Sequence, residues 1–216
     1  MGTVVAAPPG PRRLPMFPLS TVLFPTGRLP LQVFEDRYRR MLGDCLAADG
    51  RFGVVLIARG SEVGGGDERF SVGTEAAVEG AVALPDGRWR LVAAGLHPVR
   101  VARWLDDDPY PLADVVPVGA GVADGAAPSP LLGPAEAAVR RARVLLSELG
   151  AAPALDPGAV FGPGPDAAWA LCDAAPLAVL DRQRLLEAPG HAERLAALRT
   201  MADDVADDAL RLLAQR

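Results

Sequence analysis

No lysine occurs in this sequence; all 22 basic residues are arginine. That absence excludes the nucleotide-binding loop GxxxxGK[ST], whose lysine reaches the phosphates. It also excludes any nucleophile activated by a serine–lysine pair. Cysteine is nearly absent: Cys45 and Cys172 stand alone in separate helical patterns. Two unpaired cysteines do not make a zinc site, which needs four ligands, and both are expected as free, buried thiols. Only two histidines are present, His97 and His191, so no metal site and no cofactor are expected. No G-x-S-x-G elbow is found, and hydrolase chemistry is not expected. No apolar run approaches the ~18 residues of a membrane span. The opening MGTVVAAPPGPRR lacks a charged start followed by an apolar core, so no signal peptide is expected there. Ala6 stands where a myristoylation pattern needs Ser or Thr. These absences lead to the expectation of a cytoplasmic protein with reduced thiols and no membrane partner.

What is present is apolar. Half of the 216 residues are hydrophobic, enough for a sizeable core in one large domain or two small ones. The net charge of −5 argues against nucleic acid, because phosphate backbones demand clustered cations. Arginines and carboxylates are instead mixed along most of the chain.

The organising stretch is Leu14 to Arg40, LPMFPLSTVLFPTGRLPLQVFEDRYRR. Two apolar runs, Leu14–Leu19 and Leu29–Phe34, flank Phe24-Pro25-Thr26-Gly27, where the chain can reverse. Prolines 15, 18, 25 and 30 exclude a helix here and limit strands to edges or bulges. From Glu35 the pattern turns helical, with Tyr38, Met41, Leu42 and Cys45 on one face and Asp49-Gly50 as the end.

Phe52 to Ala58 is a continuous apolar run of strand length. Ser61 to Asp67, SEVGGGD, reads as a loop; it has no phosphate-binding spacing. Residues 76–93 read as a β-hairpin about Pro85-Asp86-Gly87. A further strand ends at Trp104, Asp106 to Pro111 breaks it, and Ala113 to Val118 is the last strand. The three aspartates at 106–108 lack calcium-loop spacing and read as a solvated turn.

After the low-complexity stretch 119–130 the period becomes helical. Pro134 suits a helix start, with Val139, Ala142, Leu146 and Leu149 on one face. Asp166 is expected to cap a short helix carrying Trp169 and Cys172, and Pro176 to open another. The longest helix is expected at His191–Leu213, with a seam of Leu195, Leu198, Ala202, Val205, Ala209 and Leu212. Its Asp203, Asp204, Asp207 and Asp208 are expected to form a solvent-facing stripe.

The ordered set LPMFPLSTVLFPTGRLPLQVFEDRYRRM, FGVVLIARGSEVGG, VGTEAAVEG, DGRWRLVAAGLHPVRVARW and DDPYPLADVVPV resembles the N-terminal substrate-binding domain of the Lon protease family. It runs over roughly residues 12–118, and a helical tail looks similar from about 131 to 213. The resemblance implies an α+β fold: a PUA-like β pseudo-barrel with one early helix, then an α-helical bundle. The expected division is a disordered tail at 1–12, the barrel at 13–118, a linker at 119–130 and the helices at 131–216. It implies a stand-alone, non-catalytic module, without the family's ATPase and protease domains, that binds unfolded or partner polypeptide. The apolar turn Val22, Leu23 and Phe24 is the candidate peptide-binding site if partly exposed beside Arg28 or Tyr38; the alternative is that these residues are core. An RNA-binding module using Arg37, Arg39 and Arg40 is the first alternative, and a small-molecule binder the second. The client and the oligomeric state are not legible.

Overall fold

The computed structural model describes residues 10–60, 62, 66–118, 130–156, 158–162 and 165–216. Most of the expected tail and linker, and most of the SEVGGGD loop, lie outside the described residues. The chain forms two compact units. One comprises residues 1–23 and 28–123; the other comprises Phe24–Gly27 with Asp124–Arg216.

Among its described residues the first unit holds six strands and one helix: β1 (Arg12–Leu19), β2 (Arg28–Val33), α1 (Asp36–Ala47), β3 (Arg51–Arg59), β4 (Glu68–Ala83), β5 (Trp89–Trp104) and β6 (Leu112–Pro117). The pairing runs β2-β5-β4-β3-β1-β6, and a β5–β6 pairing closes the ring. The closed part is β1-β3-β4-β5-β6, with β1 and β3 parallel. β5 is long enough to serve two partners on one edge. Its residues 89–94 pair with β2, and residues 99–104 with β6. β2 is thus an annex to the barrel, and Pro30, which has no N–H to give, sits on it.

The prolines of β1 follow the same logic. Arg12–Pro15 pair with β6, and Met16–Leu19 pair with β3. The strand changes partner between Pro15 and Met16, so each proline is paired on one side only. The Met16 N–H donates to the Pro111 carbonyl at 2.8 Å at this handover.

Two cores result. Leu14, Met16, Val55, Val99, Ala113 and Val115 form one cluster. The other joins Phe17, Leu19, Leu23, Val33, Phe52, Val54, Leu91 and Ala93 to the apolar face of α1, namely Tyr38, Met41, Leu42 and Cys45. A Cβ at Gly73 would overlap the Val54 carbonyl, so glycine is required for β3 and β4 to approach there. Buried Glu75 accepts Arg51 at 2.9 Å and His97 Nε2 at 3.1 Å, and also pairs with Arg12. This carboxylate is buried but satisfied by groups from β1, β3 and β5, as a buried charge must be.

The second unit contains α2 (Leu132–Glu148), α3 (Pro165–Ala174), α4 (Val179–Glu187) and α5 (His191–Leu213). α5 buries Leu195, Leu198, Ala202, Ala206 and Ala209. The seam therefore runs through Ala206 rather than Val205, and Leu212 is exposed, because a straight helix rotates away from a fixed repeat. The acidic stripe is not purely solvated: Arg141 of α2 reaches Asp207 at 3.0 Å and Asp203 at 3.7 Å. Asp166 lies in the first turn of α3, and α2 begins two residues before Pro134. A layered stack crosses this unit. Arg194 lies 3.7 Å from the Trp169 ring centre, Trp169 and Phe24 are 5.8 Å apart, and Arg182 lies 4.7 Å over Phe24. Arg194 also donates to the Leu185 and Ala188 carbonyls, both at 3.0 Å. Among the described residues no helix is long and apolar enough to cross a membrane.

Candidate functional site

The structure buries four of the five residues expected to bind peptide. Val22, Leu23, Phe24 and Tyr38 are 5%, 4%, 0% and 3% exposed. The turn itself forms as expected: the Gly27 N–H donates to the Phe24 carbonyl at 3.1 Å, and Thr26 takes a positive φ of 64°. Its apolar side chains, however, are consumed by packing. Leu23 enters the core with Phe17 and α1, and its carbonyl accepts the Thr74 hydroxyl at 2.6 Å. Phe24 completes the aromatic stack of the helical unit. Tyr38 stacks on Phe17 at 4.3 Å, and burial pushes its pKa up to about 12. The expectation of a partly exposed apolar turn is therefore corrected: the turn's side chains are covered.

Arg28 is different. It is exposed on β2, and its Nε and Nη2 donate to the Glu79 carboxylate at 2.7 and 2.8 Å. Hydrogen bonding to Arg28 holds Glu79 below the ordinary carboxylate range. It stands beside a hollow of about 690 Å³, lined by Pro30, Leu31, Gln32, Gly80, Ala81, Val82, Arg90, Leu91 and Val92.

Strand registry orders this face. Pro30, Val92 and Gly80 form one cross-strand row, and Gln32, Arg90 and Val82 the next. Side chains alternate across a sheet. Leu31, Leu91 and Ala81 pack with the core cluster, which leaves the two rows on the opposite face. Two apolar residues, Val82 and Val92, thus occupy positions where a half-buried sheet carries polar ones. Val82 is 63% exposed. Gly80 follows a register shift between Val78 and Gly80 and has open space over its missing side chain, which hollows the face. A smaller hollow of about 180 Å³, lined by Phe17, Leu19, Val33, Phe34, Tyr38 and others, shares Pro30, Leu31 and Gln32 with the first.

The polar clusters elsewhere are structural. Arg69 binds Asp67 at 2.6 Å and Asp107 at 2.9 Å, and lies 4.7 Å over Trp104. Burial opposes the charge on Asp67, yet the Arg69 hydrogen bond, its own backbone N–H and the charges of Arg69 and Arg37 outweigh it and lower its pKa. Asp107 is thereby tied to a partner and is not simply solvated. Of the arginines considered for RNA, Arg37 pairs with Glu35 and Arg39 with Asp36. Among the described residues no group of three or more His, Cys, Asp or Glu could hold a metal ion.

Sequence reasoning passed over Pro30, Gln32, Gly80, Val82, Arg90 and Val92. A signal existed in the hairpin at 76–93: Val82 and Val92 fall in the outward phase, one residue from inward Ala81 and Leu91.

Comparison with known proteins fits this architecture. Residues 13–204 match the family model of the ATP-dependent protease La (LON) substrate-binding domain. The Lon protease of Dictyoglomus thermophilum is 30% identical over 101 residues, covering 46% of this chain and 13% of that protein. Lon protease 2 of Herpetosiphon aurantiacus is 33% identical over 105 residues, covering 47% and 13%. Lon protease 2 of Myxococcus xanthus is 32% identical over 113 residues, covering 48% and 14%. The chain thus spans about an eighth of the length of these relatives. Among solved structures, the Lon N-terminal domain protein from Xanthomonas campestris superposes with a TM-score of 0.63 at 27% identity, covering 87% of this chain and 96% of that one. The N-terminal domain of the Mycobacterium avium complex Lon protease gives 0.59 at 16% identity, covering 89% and 99%, a likeness of fold alone. With the β pseudo-barrel, the early helix and the helical unit all in place, this chain belongs to the Lon substrate-binding domain family.

Proposed function

We propose that this chain is a non-catalytic recognition module that holds unfolded, apolar-rich polypeptide on the outer face of β2, β5 and β4. The observation that carries this is the face itself: Pro30, Val82 and Val92 on the outward side of a hollow of about 690 Å³, in a chain whose family match is to a substrate-binding domain. Leaving such apolar surface in water costs about 25 cal/mol per Å², which an apolar segment laid over it recovers. Of the residues singled out in the sequence, Arg28 belongs to this surface, while Val22, Leu23, Phe24 and Tyr38 serve packing. The absence of lysine from these 216 residues removes the nucleotide loop and the serine–lysine pair, which supports a role in binding rather than turnover. Two free, buried cysteines suit a reducing, cytoplasmic setting. RNA is disfavoured, since Arg37 and Arg39 are already neutralised.

The test is a titration of a fluorescein-labelled unfolded apolar peptide. Val82→Asp, a change at an exposed position, should weaken capture about 10-fold or more by placing a charge in the apolar floor. Unchanged affinity in Val82→Asp, or no capture by the unaltered protein, defeats the proposal.

A further inference from the structure

The same face carries a cation that no described residue neutralises. Arg90 is exposed, and its side chain makes no hydrogen bond, ion pair or ring contact among the described residues. The arginines around it are engaged: Arg28 by Glu79, Arg88 by Asp86 at 2.6 Å, and Arg39 by Asp36 at 2.5 Å. The chain has 27 acidic residues for its 22 arginines, and none of the described ones reaches Arg90. Arg40, Arg59 and Arg100 also lack partners among the described residues, but they lie outside this face.

We propose that Arg90 makes the face selective for apolar segments that carry a carboxylate, an Asp or Glu side chain one strand step from an apolar residue. This rests on the reading of the face as a polypeptide site and names the class of segment it takes. Arg90 stands in the middle of its row, between Gln32 on β2 and Val82 on β4. The adjacent row, Pro30, Val92 and Gly80, is apolar and hollowed. In an extended segment, side chains on one face recur every two residues, about 6.6–7 Å apart. That step matches the distance between the two rows. One apolar side chain settles over Val92 and Gly80, and the next position on that face falls on the guanidinium. A guanidinium fork donates two parallel N–H···O bonds to a carboxylate, and the Gln32 amide is a further donor beside it. Covering the row with an apolar segment removes water and strengthens the pair. A lone cation on an apolar floor does not suit a nucleic acid, which needs several together.

The test uses two fluorescein-labelled decapeptides, capped at both ends, of alternating Val and Ser with one central Asp or Asn. The unaltered protein should bind the Asp peptide about 10-fold more tightly, the scale of a charge-assisted pair at a partly exposed site. Arg90→Gln should bind both equally, at the level of the Asn peptide. Arg100→Gln, which removes another exposed arginine of the same strand without a partner among the described residues, should keep the preference. Equal binding of both peptides by the unaltered protein overturns this inference and leaves the polypeptide reading standing. Loss of preference in Arg100→Gln as well as Arg90→Gln overturns it by showing an effect of net charge. Failure to bind either peptide overturns the polypeptide reading, and this inference with it.

Discussion

Replacing Phe24 by alanine removes a ring that is 0% exposed and sits between the Trp169 ring and the Arg182 guanidinium. Phe→Ala at a closed site costs about 3–5 kcal/mol, combining lost transfer energy with the cavity left behind. The upper half of that range applies here, because Trp169 and Arg194 are fixed by their own stack and by two backbone carbonyls and cannot collapse into the space. For a chain of this size each kcal/mol moves the melting temperature by about 2–4 °C, so a fall of roughly 8–20 °C is expected. Phe24→Leu separates volume from ring chemistry. It keeps most of the bulk and loses the aromatic pair and the cation–π contact, about 1–2.5 kcal/mol together. The assay is urea and thermal unfolding followed by tryptophan fluorescence and far-ultraviolet circular dichroism. Peptide capture by Phe24→Leu should equal that of the unaltered protein. A loss below about 1 kcal/mol in Phe24→Ala refutes the packing argument. Selective loss of peptide capture in a fully stable Phe24→Leu would return this residue to the binding site.

Gly73→Ala should cost about 1–3 kcal/mol, since its Cβ meets the Val54 backbone, whereas Gly80→Ala, with open space around it, should leave stability within about 0.5 kcal/mol; urea midpoints compare the two. Alkaline pH should destabilise the fold: burial raises Tyr38 from 10 to about 12 and Cys172 from 9 to about 12. Both raised values mean that the folded state holds its protons more tightly, so their contribution is complete below pH 9 and lost between about pH 9 and 12. Equilibrium unfolding at pH 8, 10 and 11 checks the slope, and a stability that rises with pH across that window contradicts it.

Much of the architecture is legible because it is written in periodicity and punctuation. The helical face Tyr38, Met41, Leu42 and Cys45 reads directly from spacing, and all four residues are buried. The hairpin about Pro85-Asp86-Gly87 reads from its turn, with Gly87 at a φ of 80°. The prolines of β1 were a conflict in one dimension that only pairing resolves: no local pattern announces that a strand changes neighbour after Pro15. The site was harder still. Val22, Leu23 and Phe24 look like an apolar loop tip, and hydrophobicity alone does not tell whether a tip is bare or covered. Conversely, Val82 looks like core until the register pairs it with Arg90 and turns it outward. Asp107 reads as a solvated turn residue because its partner, Arg69, is distant in sequence.

The four residues Phe24–Gly27 belong to the helical unit, although they are flanked on both sides by strands of the barrel. The helical unit is therefore discontinuous in the gene, and it is not a module that can be cut out at one boundary. An excised fragment starting at residue 124 would carry Trp169 with one face of its ring stripped. A chimera that grafts helices from one relative onto the barrel of another must exchange the turn along with them, or match the incoming ring to the resident one. During synthesis the turn emerges long before its partners, so this part of the helical core closes only after almost the whole chain has been made. Substitutions at 24 and 169 are expected to be inherited as a pair, and an alignment that treats the barrel and the helices as independent segments would miss that link.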